Sequence, residues 1–195
     1  VGDADVSPPP VRRSGARPGD AVWASGPLGA GAAALRALRA GGRAGGRAQP
    51  RDAQPGGRAQ PGDAQPGDTQ PGDAHARPQP RTAEGIAARE LGATAMTDVS
   101  DGFAADLGHV LDASGVGCEL AGLPVAPGAS REDALGGGED FELVWCMPPA
   151  TDAAAAFAAR GLRPPIRLGT CTADPRRRTL DGEPLAPTGW QHRVG

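Results

Sequence analysis

Ala95-Met96-Thr97-Asp98-Val99-Ser100-Asp101-Gly102-Phe103 reads as the end of a β-strand turning into a helix, with three oxygen-bearing side chains at the turn. Apolar and β-branched residues lead in from Ala93 to Val99, and Phe103, Leu107 and Leu111 recur every four residues on the way out. Ser100 stands where a helix N-cap is expected and Asp101 in the first turn, where the helix dipole favours negative charge or a bound anion. On a strand, Asp98 and Ser100 would share a face, because side chains alternate with period two. Two carboxylates and a hydroxyl converging at a strand end suit a hard divalent cation and a phosphate that it carries. Simple helix capping explains the same residues and stays open beside it. A calcium-binding EF-hand loop does not fit: with Asp98 as position 1, position 6 is not Gly and position 12 is His109 rather than Glu.

Outward from this junction, the pattern predicts a strand at 21–25, a helix at 30–40, a helix at 82–91 and a strand at 93–99. It continues with a helix at 101–113, strands at 116–120 and 141–146, and a helix capped by Thr151 that runs to Arg160 and stops at Gly161. A strand at 166–170 and two short segments around Asp181-Gly182 complete the set. The expected fold class is α/β (α+β): a mixed sheet with helices packed on it. Residues 1–20 read as an entry segment, extended at Pro8-Pro9-Pro10 and rich in turns from Ser14 to Asp20. Residues 41–80 change character. The pentads Gln60-Pro61-Gly62-Asp63-Ala64, Gln65-Pro66-Gly67-Asp68-Thr69 and Gln70-Pro71-Gly72-Asp73-Ala74 offer almost no apolar side chains to offset ordering entropy, so this tract is expected to be a disordered insertion between 21–40 and 81–195.

Composition excludes several chemistries. The chain has 195 residues, a net charge of −3 and twenty basic residues, all of them Arg. A nucleic-acid binder that works by neutralising phosphates is therefore not expected, nor is a Walker A or Schiff-base lysine. Cys118, Cys146 and Cys171 show no metal or disulfide spacing, and His75, His109 and His192 have neither ligand spacing nor a paired nucleophile. No membrane-spanning stretch or signal peptide stands out, so a cytoplasmic protein is the expectation. The start at Val1 rather than Met suggests that something upstream is missing. Gly136-Gly137-Gly138-Glu139-Asp140 allows backbone to approach a ligand closely and holds two acids before a buried strand; a flexible loop with solvated acids reads equally from the residues alone. Trp23 and Trp145 lie within strands, as core residues do, whereas Trp190 stands outside any strand pattern, between Gly189 and polar Gln191.

Taken together, the motifs resemble thiamine-monophosphate kinase, a family of the PurM-like superfamily. They run in order: RSGARPGD (Arg13 to Asp20), GPLGAGAAA (Gly26 to Ala34), HARPQPR (His75 to Arg81), GATAMTDVSDGFAADLGHVLDASGVG (Gly92 to Gly117), ALGGGEDFEL (Ala134 to Leu143) and DGEP…GW (Asp181 to Trp190). The resemblance implies the PurM C-terminal-domain fold and Mg²⁺-dependent, direct transfer of the γ-phosphoryl group of ATP onto thiamine phosphate, giving thiamine diphosphate. The acceptor phosphate is already ionised, so positioning and charge neutralisation would carry the reaction. By position, the resemblance makes Asp98 and Asp101 magnesium ligands, Ser100 a contact to ATP, Glu139 a contact to substrate and Trp190 an aromatic against thiamine, where cation–π attraction to the thiazolium would act. Neither nucleic acid nor membrane is an expected partner. The family is homodimeric through an N-terminal domain that carries most of its aspartate ligands and that this chain lacks, so dimerisation and activity are not expected of this chain alone. A ligand-binding remnant without catalysis is one alternative. Another PurM-like ATP-using enzyme, such as selenophosphate synthetase or aminoimidazole ribonucleotide synthetase, is a second.

Overall fold

The computed structural model describes residues 9–40 and 79–189. The repeat tract at 41–78 and Trp190 lie outside the described residues, as do His75 and His192. The elements in chain order are β1 (Ala21–Ala24), α1 (Ala30–Arg39), α2 (Thr82–Glu90), β2 (Ala95–Asp98), α3 (Phe103–Ser114) and β3 (Gly117–Leu120). They continue with α4 (Arg131–Gly136), β4 (Leu143–Met147), α5 (Ala153–Ala158), β5 (Ile166–Thr172), β6 (Arg178–Leu180) and β7 (Glu183–Pro184). The strands form one mixed sheet in the order β2-β4-β1-β5-β3-β6-β7. Every pairing is antiparallel except β3 with β6.

Alternation along the strands sends side chains to two cores. Val22, Ala24, Val144 and Cys146 point into the larger one, which also takes Phe103, Leu107, Val110 and Leu111 of α3 and Ala134 of α4. Trp145 and Met147 point the other way and are covered by Ala87 and Ala88 of α2 and by Ala153 and Phe157 of α5. The Trp145 and Phe157 rings stack with centroids 5.7 Å apart. Trp145 is fully buried, while Trp23 is half-buried against the same cluster. All three cysteines are free and buried. Among the described residues, no helix is long and apolar enough to cross a membrane.

Besides shifts of one or two residues at strand ends, such as β4 starting at Leu143 instead of Phe141, the observed elements depart from the sequence-based expectations in three places, each for a local reason. α3 begins at Phe103, not Asp101, and its N-cap is Gly102, which makes no side-chain cap. Ser100 is thus not the cap, and Asp101 is not in the first turn; both belong to a loop that curls around a carboxylate from inside the helix. α4 was not anticipated. Its capping box joins Ser130 and Asp133: the Ser130 hydroxyl accepts from the Asp133 N–H (3.1 Å) and the Asp133 carboxylate from the Ser130 N–H (2.7 Å). Six residues are too few for an apolar period to show. Finally, α5 is capped by Asp152, which accepts from the Ala155 N–H at 3.0 Å, one residue after Thr151, and it ends at Ala158.

Candidate functional site

The strand-end loop and the Gly-rich loop are laced together by backbone hydrogen bonds. β2 pairs with β4 as far as Asp98 and Leu143, and the lacing continues beyond them. The Val99 N–H donates to the Glu142 carbonyl (2.8 Å), the Phe141 N–H to the Val99 carbonyl (3.2 Å) and the Glu139 N–H to the Ser100 carbonyl (3.0 Å). The backbones approach so closely that a Cβ on Gly138 would lie 2.3 Å from the Ser100 carbonyl oxygen, so only glycine fits there. Gly102 is held in the same way, with φ +121° and Gly136 backbone 2.9 Å from where its Cβ would be. Glu139 (φ 62°) and Phe141 (φ 53°) occupy the left-handed region without being glycine. Such conformations cost energy, and they gather at ligand-binding segments.

Three carboxylates in these segments are anchors. Asp106, on the first turn of α3, accepts from the backbone N–H groups of Ser100 (2.9 Å), Asp101 (2.9 Å) and Gly102 (3.2 Å). Burial pushes its carboxyl above the ordinary range; the Asp101 and Ser100 N–H groups pull against this, and the charges of Asp101 and Asp98 add to the upward push. Asp140 reaches to the start of α1 and accepts from the N–H groups of Gly29 (2.5 Å) and Gly31 (2.9 Å). Burial likewise raises its carboxyl, against the pull of those N–H groups. Glu142 is buried and accepts from the Ser25 hydroxyl, from Arg81 (2.9 and 3.2 Å) and from Arg163 (2.8 and 3.0 Å).

Ser100, Asp101 and Glu139 line one cleft of about 660 Å³ with Gly31, Ala32 and Leu35 of α1. Gly189, the chain neighbour of Trp190, closes its end and also borders an adjoining cleft of about 480 Å³ that runs along α3 past His109 to Arg178. Asp98 is not in this cleft. It is exposed and lines a separate groove with Arg81, Met96 and Phe141. The expectation that Asp98 and Ser100 share a face fails because the chain leaves the strand at Asp98 and curls around Asp106. Among the described residues, no three His, Cys, Asp or Glu side chains form a cage for a metal ion. The donors present suit Mg²⁺ instead, which takes one or two carboxylates and completes its shell with phosphate oxygens and water.

Asp106 and Glu142 were missed by sequence reasoning. For Asp106 there was a signal, since an acid three residues after Phe103 falls on the apolar stripe of α3, where a carboxylate must find a partner.

The profile of the family described as "AIR synthase related protein, C-terminal domain" matches residues 17–181. The chain belongs to this family. As a member of the AIR synthase related family, it is 37% identical over 202 residues to the thiamine-monophosphate kinase of Halobacterium salinarum, an alignment that covers 98% of this chain and 58% of that protein. The crystal structure of thiamine-monophosphate kinase from Stenotrophomonas maltophilia K279a matches with a TM-score of 0.67 at 31% identity, over 90% of this chain and 54% of that one. A second solved structure, AaThiL complexed with AMPPCP and TMP, matches with a TM-score of 0.68 at 26% identity, over 93% and 54%. The chain therefore spans about half the length of the thiamine-monophosphate kinases it matches.

Proposed function

We propose that this chain forms one wall of a thiamine-monophosphate kinase site, in which the γ-phosphoryl group of ATP passes to thiamine phosphate. The observation that carries this reading is the cleft itself. Ser100 and Asp101 of the strand-end loop and Glu139 of the Gly-rich loop are held together by backbone hydrogen bonds and line one space, whose other walls are glycines and the apolar Ala32 and Leu35. The similarity to AaThiL, whose complex contains AMPPCP and TMP, supports ATP and thiamine phosphate as its occupants.

In this reading Asp101, in the cleft, and Asp98, in the neighbouring groove, hold separate Mg²⁺ ions, Ser100 contacts ATP, Glu139 contacts the substrate and Trp190 packs on the thiamine rings. Bound Mg²⁺ would neutralise phosphate charge during an in-line transfer. The chain's own part is to orient: the fixed loops set Ser100 and Asp101 toward the cleft before ligand arrives. Further aspartate ligands would come from a domain outside this chain, as would the contacts of a homodimer, and the setting is the cytoplasm.

Two measurements test the reading. The isolated chain makes no thiamine diphosphate from ATP and thiamine phosphate, and product formation by it would contradict the half-site assignment. Replacing Trp190 with Ala weakens thiamine phosphate binding; unchanged affinity would point to a different acceptor.

A further inference from the structure

Successive backbone N–H groups that converge on a point form a nest, which ordinarily takes an anion such as phosphate. Ser100, Asp101 and Gly102 form such a nest, and a side chain of the same protein fills it: the Asp106 carboxylate, itself only 1% exposed. Filling the nest from inside has two consequences. The three N–H groups are taken up by Asp106 and cannot receive a ligand phosphate, so Ser100 and Asp101 line the cleft without offering it their N–H groups. The positive end of the nest is also taken up by a buried carboxyl group, so the acids Asp98 and Asp101 stand in a loop whose N–H groups no longer offset them. Such a loop attracts a cation, and phosphate only together with that cation.

We propose that Asp106 is a positioning residue that plugs this nest and so makes the Asp98–Asp101 loop a divalent-cation site instead of a phosphate cradle. The inference rests on the reading of Asp98 and Asp101 as Mg²⁺ ligands. Asp106 itself touches neither metal nor substrate. Removing an outer group that orients metal ligands commonly costs about ten- to a hundredfold in metal affinity.

The test uses the ¹⁵N-labelled chain with Mn²⁺ as probe, and the variant Asp106→Asn, which keeps the side chain's shape and one acceptor but not its charge. In the variant the Ser100, Asp101 and Gly102 amide protons move upfield and exchange faster, while the β4 amides stay protected. Mn²⁺ broadens the Asp98–Asp101 amides of the wild type, and half-broadening of the variant requires about ten- to a hundredfold more metal. Wild-type broadening that is unchanged in the variant overturns the inference alone. Absence of broadening at this loop in the wild type overturns the magnesium assignment beneath it. Should the variant not fold, scalar couplings across the hydrogen bonds from the three amides to the Asp106 carboxyl carbon decide the matter in the wild type: their presence supports the plugged nest, and their absence overturns it.

Discussion

Asp106 and Glu142 are both buried acids in the two laced segments, yet Asp106 meets neutral backbone N–H groups while Glu142 meets the guanidinium groups of Arg81 and Arg163. The difference separates two jobs. Paired with arginines, Glu142 is neutralised, and it ties β1, the start of α2, the Gly-rich loop and the segment before β5 into one unit. Asp106 meets backbone dipoles and, at 3.9 Å, the imidazole of His109, with no guanidinium of the described residues beside it. One acid serves stability, the other a loop.

Replacing Glu142 by Ala is the harshest way to break this comparison. It strips the buried partner from two arginines, and an uncompensated buried charge pair of this kind costs about 3–5 kcal/mol. Arg163 is partly solvated (42% exposed), which moves the expected loss to the lower end of that range. Urea unfolding followed by circular dichroism measures it, and a loss below about 1 kcal/mol would remove the structural role given to Glu142.

Asp106→Asn should give the reverse profile. Its unfolding free energy falls by only about 1–2 kcal/mol, because the lost charge-assisted bonds are offset by the burial cost that the charge no longer incurs. Metal affinity carries the larger loss. Equal stability losses in the two variants would erase the distinction.

Acidification tests the third anchor, Asp140. The folded-state carboxyl of Asp140 lies above its ordinary value of 3.8, so the folded state binds its proton first. As pH falls through the raised value toward 3.8, the native state gains stability from this group, and the gain levels off below 3.8. Wild type should therefore gain stability relative to Asp140→Asn over that window in a pH series of unfolding curves. A difference that shrinks with acid would contradict the assignment.

The smallest expected effect is at Ser130. Its replacement by Ala removes one half of the α4 capping box and costs about 1 kcal/mol in the same unfolding assay. Mn²⁺ broadening at Asp98–Asp101 should stay as in the wild type. A loss beyond about 2 kcal/mol would mean that α4 supports the cleft more directly than its cap suggests.

Period and turn chemistry made much of this fold legible. The four-residue recurrence from Phe103 to Leu111 located α3, and Asp181-Gly182 located the β6–β7 turn, whose residues both take positive φ. α4 is too short to carry a period, and the start of α3 shifted because Asp106 satisfies N–H groups that a local reading gives to Ser100. Of the candidate site, the sequence named Ser100, Asp101 and Glu139, which share the cleft, and Asp98, which faces the next groove. Glu142 was not legible as an anchor, because partners far off in the chain, like Ser25 and Arg163, leave no local pattern.

The most direct test of the central claim is a titration of the ¹⁵N-labelled chain with Mg²⁺·AMPPCP and then with thiamine phosphate. The amides of Ser100, Asp101, Gly138 and Glu139 should shift together with the first ligand, and those of Glu139, Gly189 and Trp190 with the second. Shifts confined to other surfaces, or none at millimolar ligand, would contradict the assignment of this cleft to phosphoryl transfer.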